Sequence, residues 1–206
     1  MNRFTLSAAL VCSLACLTAC SGHPDVEGQW TGQPTKLAQT GTEDVSGILV
    51  NSQVATNMIF TPSEGDSSKG SVTLNSDVTV MDEIGPNDLI VQTYELSVAA
   101  TTSIQGTYTF IDDDDMAVVF DNSTLVVNVD PKAVTFNMNA ITGGQDPQLD
   151  TLKPQLAQSY SVSIGNEMRA YYSTFQHIDD IYVKNGIMTC EINDRDYTFN
   201  QLRNEK

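Results

Sequence analysis

The chain reads as mainly β: an antiparallel meander with one amphipathic helix near the C-terminus. Three observations predict this. From Thr56 to Met138 apolar residues recur at every second position. Turn-forming residues punctuate those runs. A single stretch, Thr151 to Phe175, steps instead by three and four.

Met58 and Phe60 alternate with Ile59 and Thr61, and Val72 and Leu74 with Thr73 and Asn75. Tyr94, Leu96 and Val98 alternate with polar neighbours, as do Tyr108 with Phe110, and Val134 with Phe136 and Met138. Threonine, asparagine and serine dominate the second face, which is the pattern of antiparallel strands with one side wet. The breaks "SEGDSSKG" (63–70), "EIGPND" (83–88) and "VDPK" (129–132) read as turns, and "TGGQDPQLD" closes the series. Before them, residues 34–55 are polar and irregular, a long loop with weak strands. In the helical stretch the apolar positions are Leu152, Leu156, Tyr160, Ile164, Met168, Tyr171, Tyr172 and Phe175. Asp150 suits the N-cap, Pro154 the first turn, and Gly165 is a weak point that can kink the helix. The run "SYSVSIG" also fits a strand. The segments "IDDIYV", "GIMTCEI" and "RDYTFNQL" then form a second meander joined by "KNG" and "ND". Asn-Gly is a strong hairpin signal because a type I′ turn needs positive φ twice.

The N-terminus has one arginine, Arg3, followed by an uncharged apolar run from Phe4 to Leu17, too short to span a bilayer. It ends in "LTAC", residues 17–20, which resembles the bacterial lipoprotein box. The resemblance implies diacylglycerol transfer to the Cys20 thiol, cleavage before Cys20 and acylation of the new amino terminus. Residues 1–19 are then the signal peptide, 20–26 the lipidated cysteine and a short tether, and 27–206 one domain. Each buried acyl methylene contributes about 0.8 kcal/mol, so several chains anchor firmly to the bilayer. Ser21, where aspartate would mark inner-membrane retention, implies the outer membrane. Cys12 and Cys16 leave with the signal and Cys20 is acylated, so Cys190 is the remaining thiol and no intrachain disulfide forms. No cation beside Cys190 activates it.

Losing Arg3 with the leader leaves nine basic residues against 26 acidic ones, a net charge of −17. That surface repels phosphate backbones, which argues against a nucleic-acid partner. Asp112 to Asp115 look like a metal site, but four adjacent side chains on a short turn splay apart, whereas calcium needs six to eight converging oxygens. They read as a hairpin tip that contributes charge. His177 is the one histidine beyond the tether, with Asp179 and Asp180 beside it. Zinc wants more nitrogen or sulfur ligands, and no nucleophile elbow accompanies this group. It reads as a helix-to-strand connection. No catalytic residue, cofactor or metal site is expected.

Gly28-Gln29-Trp30 matches the Gly-x-Trp pattern that opens the first strand of lipocalins. The whole layout resembles lipocalin-like lipoproteins of Bacteroidetes. The resemblance implies that the meander closes into a lipocalin-like barrel with Trp30 plugging its floor. It further implies that an arginine near the last strand, Arg195 or Arg203, lies over the indole, and that the helix packs outside the barrel. One strand follows that helix in lipocalins; here three do. The alternative for Trp30 is a large core residue in another β-fold. In a barrel, Tyr94, Tyr108, Phe110, Phe120 and Phe136 would face a small apolar ligand, or simply fill the interior. The alternative is an envelope interaction protein (inhibitor, adhesin or assembly factor) that works through its loops, above all 35–55, or its outer face.

Overall fold

The computed structural model describes residues 22–37, 51–85, 93–137 and 147–202. The leader, Cys20, Arg203, Met138 and the middle of the 34–55 loop lie outside them. The strands are β1 (Gly28–Gly32), β2 (Thr35–Lys36), β3 (Gln53–Ser63), β4 (Asp66–Ile84), β5 (Tyr94–Phe110), β6 (Met116–Asn128) and β7 (Val134–Asn137). Helix α1 (Pro147–Ser173) follows, then β8 (His177–Lys184), β9 (Ile187–Glu191) and β10 (Asp196–Gln201). All pairings are antiparallel, and β1 pairs with both β10 and β3, so the sheet closes into a ring ordered β1-β10-β9-β8-β6-β5-β4-β3. Outside this ring path, β2 continues β1 along β3, and β7 continues β6 along β5.

The ring is complete only at one end, here called the floor. There Gly28 pairs with Phe60, and Met116 and Ala117 pair with Ile178 and His177. Toward the other end β4 and β5 run on as far as the Ile84–Tyr94 pair, well past the short strands β8 to β10. The upper part is therefore an open half-shell, and α1 fills it.

The side of the sheet that α1 covers follows from alternation. Val54, Thr56, Met58 and Phe60 are buried on β3, as are Leu74, Ser76 and Val78 on β4, while the intervening residues are more exposed. A closed sheet has one inner face, and the apolar residues among these share one core cluster with Ile164, Met168, Tyr171, Tyr172 and Phe175. The helix lies inside the ring's concavity, not outside as the lipocalin resemblance implies. Three apolar strands' worth of half-shell would otherwise face water; burying each large apolar side chain contributes about 1.5–3 kcal/mol, which favours the inward helix.

Several boundaries differ from the sequence expectation. α1 begins at Pro147, so Asp150 sits in its first turn, paired with Lys153 at 2.8 Å, and Pro154 lies inside the helix. A proline there leaves the Asp150 carbonyl without its usual donor. The first hairpin turns at Glu64 and Gly65 alone (Gly65 φ 75°), and Asp66 to Gly70 already belong to β4. Residues 22–27 are not a free tether. Val26 is buried, its carbonyl accepts the Trp30 indole N–H at 2.7 Å, and the His23 ring stacks on Phe110 with centroids 4.5 Å apart. The two C-terminal hairpins turn on left-handed residues: Asn185 (φ 55°) with Gly186 (φ 77°), and Asn193 (φ 53°) with Asp194 (φ 58°).

Candidate functional site

The ladder between β1 and β10 runs from Trp30–Gln201 to Gly32–Phe199 and stops. Beyond it the chain leaves through Gln33 and Pro34 before β2 rejoins β3 at Thr35–Val54. The gap opens a cleft of about 330 Å³, lined by Gly32, Val54, Thr56, Tyr171, Arg195 and Tyr197 among others. Gly32 is required at its edge. A Cβ there would stand 2.9 Å from the Phe199 ring and 3.0 Å from the Thr56 carbonyl, inside normal contact.

Behind the cleft lies a cluster of five hydroxyls in an otherwise apolar core. Thr56 Oγ1 is 2.8 Å from both Ser76 Oγ and Tyr171 Oη. Thr102 Oγ1 is 2.7 Å from Tyr172 Oη, which donates to Ser76 Oγ at 3.0 Å. Thr56, Ser76 and Thr102 occupy inward positions on three adjacent strands, so their hydroxyls must be satisfied inside. The two tyrosines of α1 supply the partners and thereby set the helix's register against the sheet. Burial pushes both phenols above their ordinary value, and the bonds from Thr56 to Tyr171, and from Ser76 and Thr102 to Tyr172, act in the opposite direction. Tyr197, lining the cleft, is likewise raised by burial and lowered by Arg195. Its buried hydroxyl has no hydrogen-bond partner among the described residues.

The residues singled out from sequence do not converge. Gly28 adopts φ 114°, which a side chain would strain. Trp30 is 0 % exposed near the floor. Arg195 is exposed, precedes β10 and borders the cleft, six positions from Gln201, the partner of Trp30. At about 3.3 Å per residue that is roughly 20 Å along the strand, which sets the guanidinium away from the indole. Tyr108 is buried against Phe60 and Phe110, and Phe120 packs on Tyr172. Tyr94 and Phe136 form a small upper cluster with Leu149. These five aromatics touch protein, not the cleft. Asp112 to Asp115 do form the β5–β6 turn, bound to β8 through the Ile181 N–H and the Asp114 carbonyl at 2.9 Å. His177 opens β8, 3.3 Å from Asp179. Cys190 is buried on β9, where burial and then Asp179 push its thiol up to about 12.

Sequence reasoning took Tyr171 and Tyr172 as part of an apolar helix face and missed their partners. The signal was present: Thr56, Ser76 and Thr102 interrupt the inward apolar series on β3, β4 and β5. Comparison with protein-family models, with curated proteins and with solved structures finds no match. What defines this protein is thus its own geometry, an antiparallel β-ring closed around an inward C-terminal helix.

Proposed function

We propose that this chain is a lipid-anchored envelope protein, held in the outer membrane by acylated Cys20, that acts by contact with another macromolecule. The observation that carries this reading is the filled concavity. Ile164, Met168 and Tyr172 of α1, with Phe175 just after it, occupy the space where a lipocalin-like carrier would hold an apolar ligand, and each is at most 1 % exposed. The net charge of −17 after removal of the leader favours a partner with basic groups. A second reading, a binding domain for a small apolar ligand, draws support from the 330 Å³ cleft and the partnerless Tyr197 hydroxyl within it. Native mass spectrometry of acyl-free protein purified from its host separates the two. A stoichiometric protein partner is the expected result, and a retained small molecule overturns it. Cys20→Ala protein should move to the soluble fraction; retention on membranes after a high-salt wash would remove the anchor.

A further inference from the structure

Three of the exposed large apolar side chains lie close together: Tyr182 on β8, Ile187 on β9 and Leu202 just past β10, at 58 %, 45 % and 48 % exposure, on the outer face of these strands near the floor. Register places them together. Ile187 pairs with Lys184 on one side and Asn200 on the other; Tyr182 pairs with Thr189, two residues from Ile187; and Leu202 lies two residues past Asn200. Each step is a diagonal neighbour, roughly 7–8 Å, so the three side chains form one stripe across three strands. Exposed Lys184 stands on the same face. Ile111, 56 % exposed, projects from the floor at the β5–β6 turn; Val119 and Val126 stand singly along β6, and Met81 and Val162 toward the opposite end.

The described N-terminus, two residues after Cys20, lies at this same end. Gly22 approaches Asp113, since a Cβ built on it would lie 3.3 Å from the carboxylate, and the next residue, Asp114, accepts the Ile181 N–H beside Tyr182. Leu202 N–H donates to the Gln29 carbonyl at 2.8 Å, and the Gln201 side-chain amide donates to the Glu27 carbonyl at 3.3 Å. Two residues of chain span at most about 7 Å, so an acyl group on Cys20 would join the chain within that reach of Gly22.

We infer that the Tyr182–Ile187–Leu202 stripe lies in the interfacial layer of the bilayer beside the anchor, so that the helix-filled end points away from the membrane. The inference rests on the lipid-anchored reading above. A tyrosine, two aliphatic side chains and a lysine suit the boundary between head groups and acyl chains, where amphipathic rings and long cations settle. The carboxylates of Asp112, Asp113 and Asp114 at the same end stay in water, which keeps the contact shallow and favours zwitterionic lipid.

The test uses the full acylated chain in phosphatidylcholine–phosphatidylethanolamine vesicles. A Cys190→Ala background carries a polarity-sensitive dye on Tyr182→Cys or, as the control, on Val162→Cys. The dye at 182 should shift to the blue and be quenched by lipid-borne nitroxide; the dye at 162 should behave as in water. Adding Ile187→Ser and Leu202→Ser should shrink the shift at 182 without moving the melting temperature, because both side chains lie outside the core. Water-like emission at both positions from a chain whose mass shows the acyl groups overturns the surface assignment alone. A chain without those groups overturns the anchored reading as well. A blue shift in acyl-free protein that grows with concentration assigns the stripe to a second copy and overturns the lipid contact.

Discussion

Two kinds of buried residue hold this molecule, and they respond to different perturbations. Trp30 is fully buried, with its one polar atom satisfied by Val26. Trp30→Ala should destabilise by about 3–5 kcal/mol in urea unfolding, through lost burial and a residual cavity. Paired with Arg195→Ala in a double-mutant cycle, it should show coupling below about 0.5 kcal/mol, since the register sets the two positions far apart along the strand. A larger coupling would restore the cation–π contact that the register argues against. The buried phenols predict an alkaline limit. Tyr171 and Tyr172 are held above their ordinary 10.0, so the folded state keeps their protons longer than the unfolded state does. Their contribution is full below pH 10 and is lost as pH rises through the folded values. Stability should therefore decline above pH 10, with phenolate absorbance appearing together with the loss of near-ultraviolet circular dichroism. Tyr171→Phe/Tyr172→Phe should flatten that decline. Early phenolate absorbance from both groups in still-folded protein would contradict their burial.

At the scale of elements, two glycines separate a packing constraint from a propensity cost. Gly165 lies in mid-helix, and a Cβ there meets only Val127 at 3.5 Å, an ordinary contact. Gly165→Ala should stabilise by about 0.5–1 kcal/mol. Gly70 faces Tyr108 across β4 and β5, and its Cβ would collide with the Thr61 carbonyl and stand 2.8 Å from the Tyr108 ring. Gly70→Ala should cost roughly 1–3 kcal/mol. Thermal unfolding of the pair gives opposite signs if the helix is packed as described; equal destabilisation would mean that Gly165 is crowded. The elements themselves were legible because their periods differ. A repeat of two marks Met58–Phe60 and Leu96–Val98, while steps of three and four mark Leu152 to Phe175. The helix start was misread because Asp150 is a good cap wherever it stands, whereas Pro147 opens the helix earlier. What sequence could not give was the side of the sheet that the helix covers. An amphipathic face docks equally well inside or outside a barrel, and only the short length of β8 to β10, leaving a half-shell open, decides the matter.

Closure is a property of the whole molecule, and it joins the ends of the chain. Trp30 pairs with Gln201 on one side and with Met58 on the other. Composition and alternation indicate an antiparallel sheet, but no local signal in "GQWTG" or "DYTFNQ" states that these two strands meet. That information lies in the ladder count and the shape of the whole sheet. Long-range closure has a kinetic and a thermodynamic consequence. Bringing distant segments together must precede its reward, so folding should be slow for a chain of this size. In the finished ring β1 and β9 each have a neighbour on both sides, which protects these strands against edge-to-edge association. Ending the chain after Ile192 deletes β10 and reverses this. β1 then keeps one neighbour, β9 exposes an unpaired edge, and Trp30, Met188 and Cys190 lose their β10 partners Gln201, Phe199 and Tyr197. The shortened chain retains β3 to β7 and α1, so it should keep strand signal in far-ultraviolet circular dichroism. It should lose its cooperative melt and self-associate in sedimentation. A monomer that melts cooperatively within a few degrees of the intact chain would show that the half-shell and helix are a self-sufficient unit. The ring would then be an addition to that unit, not the basis of its stability.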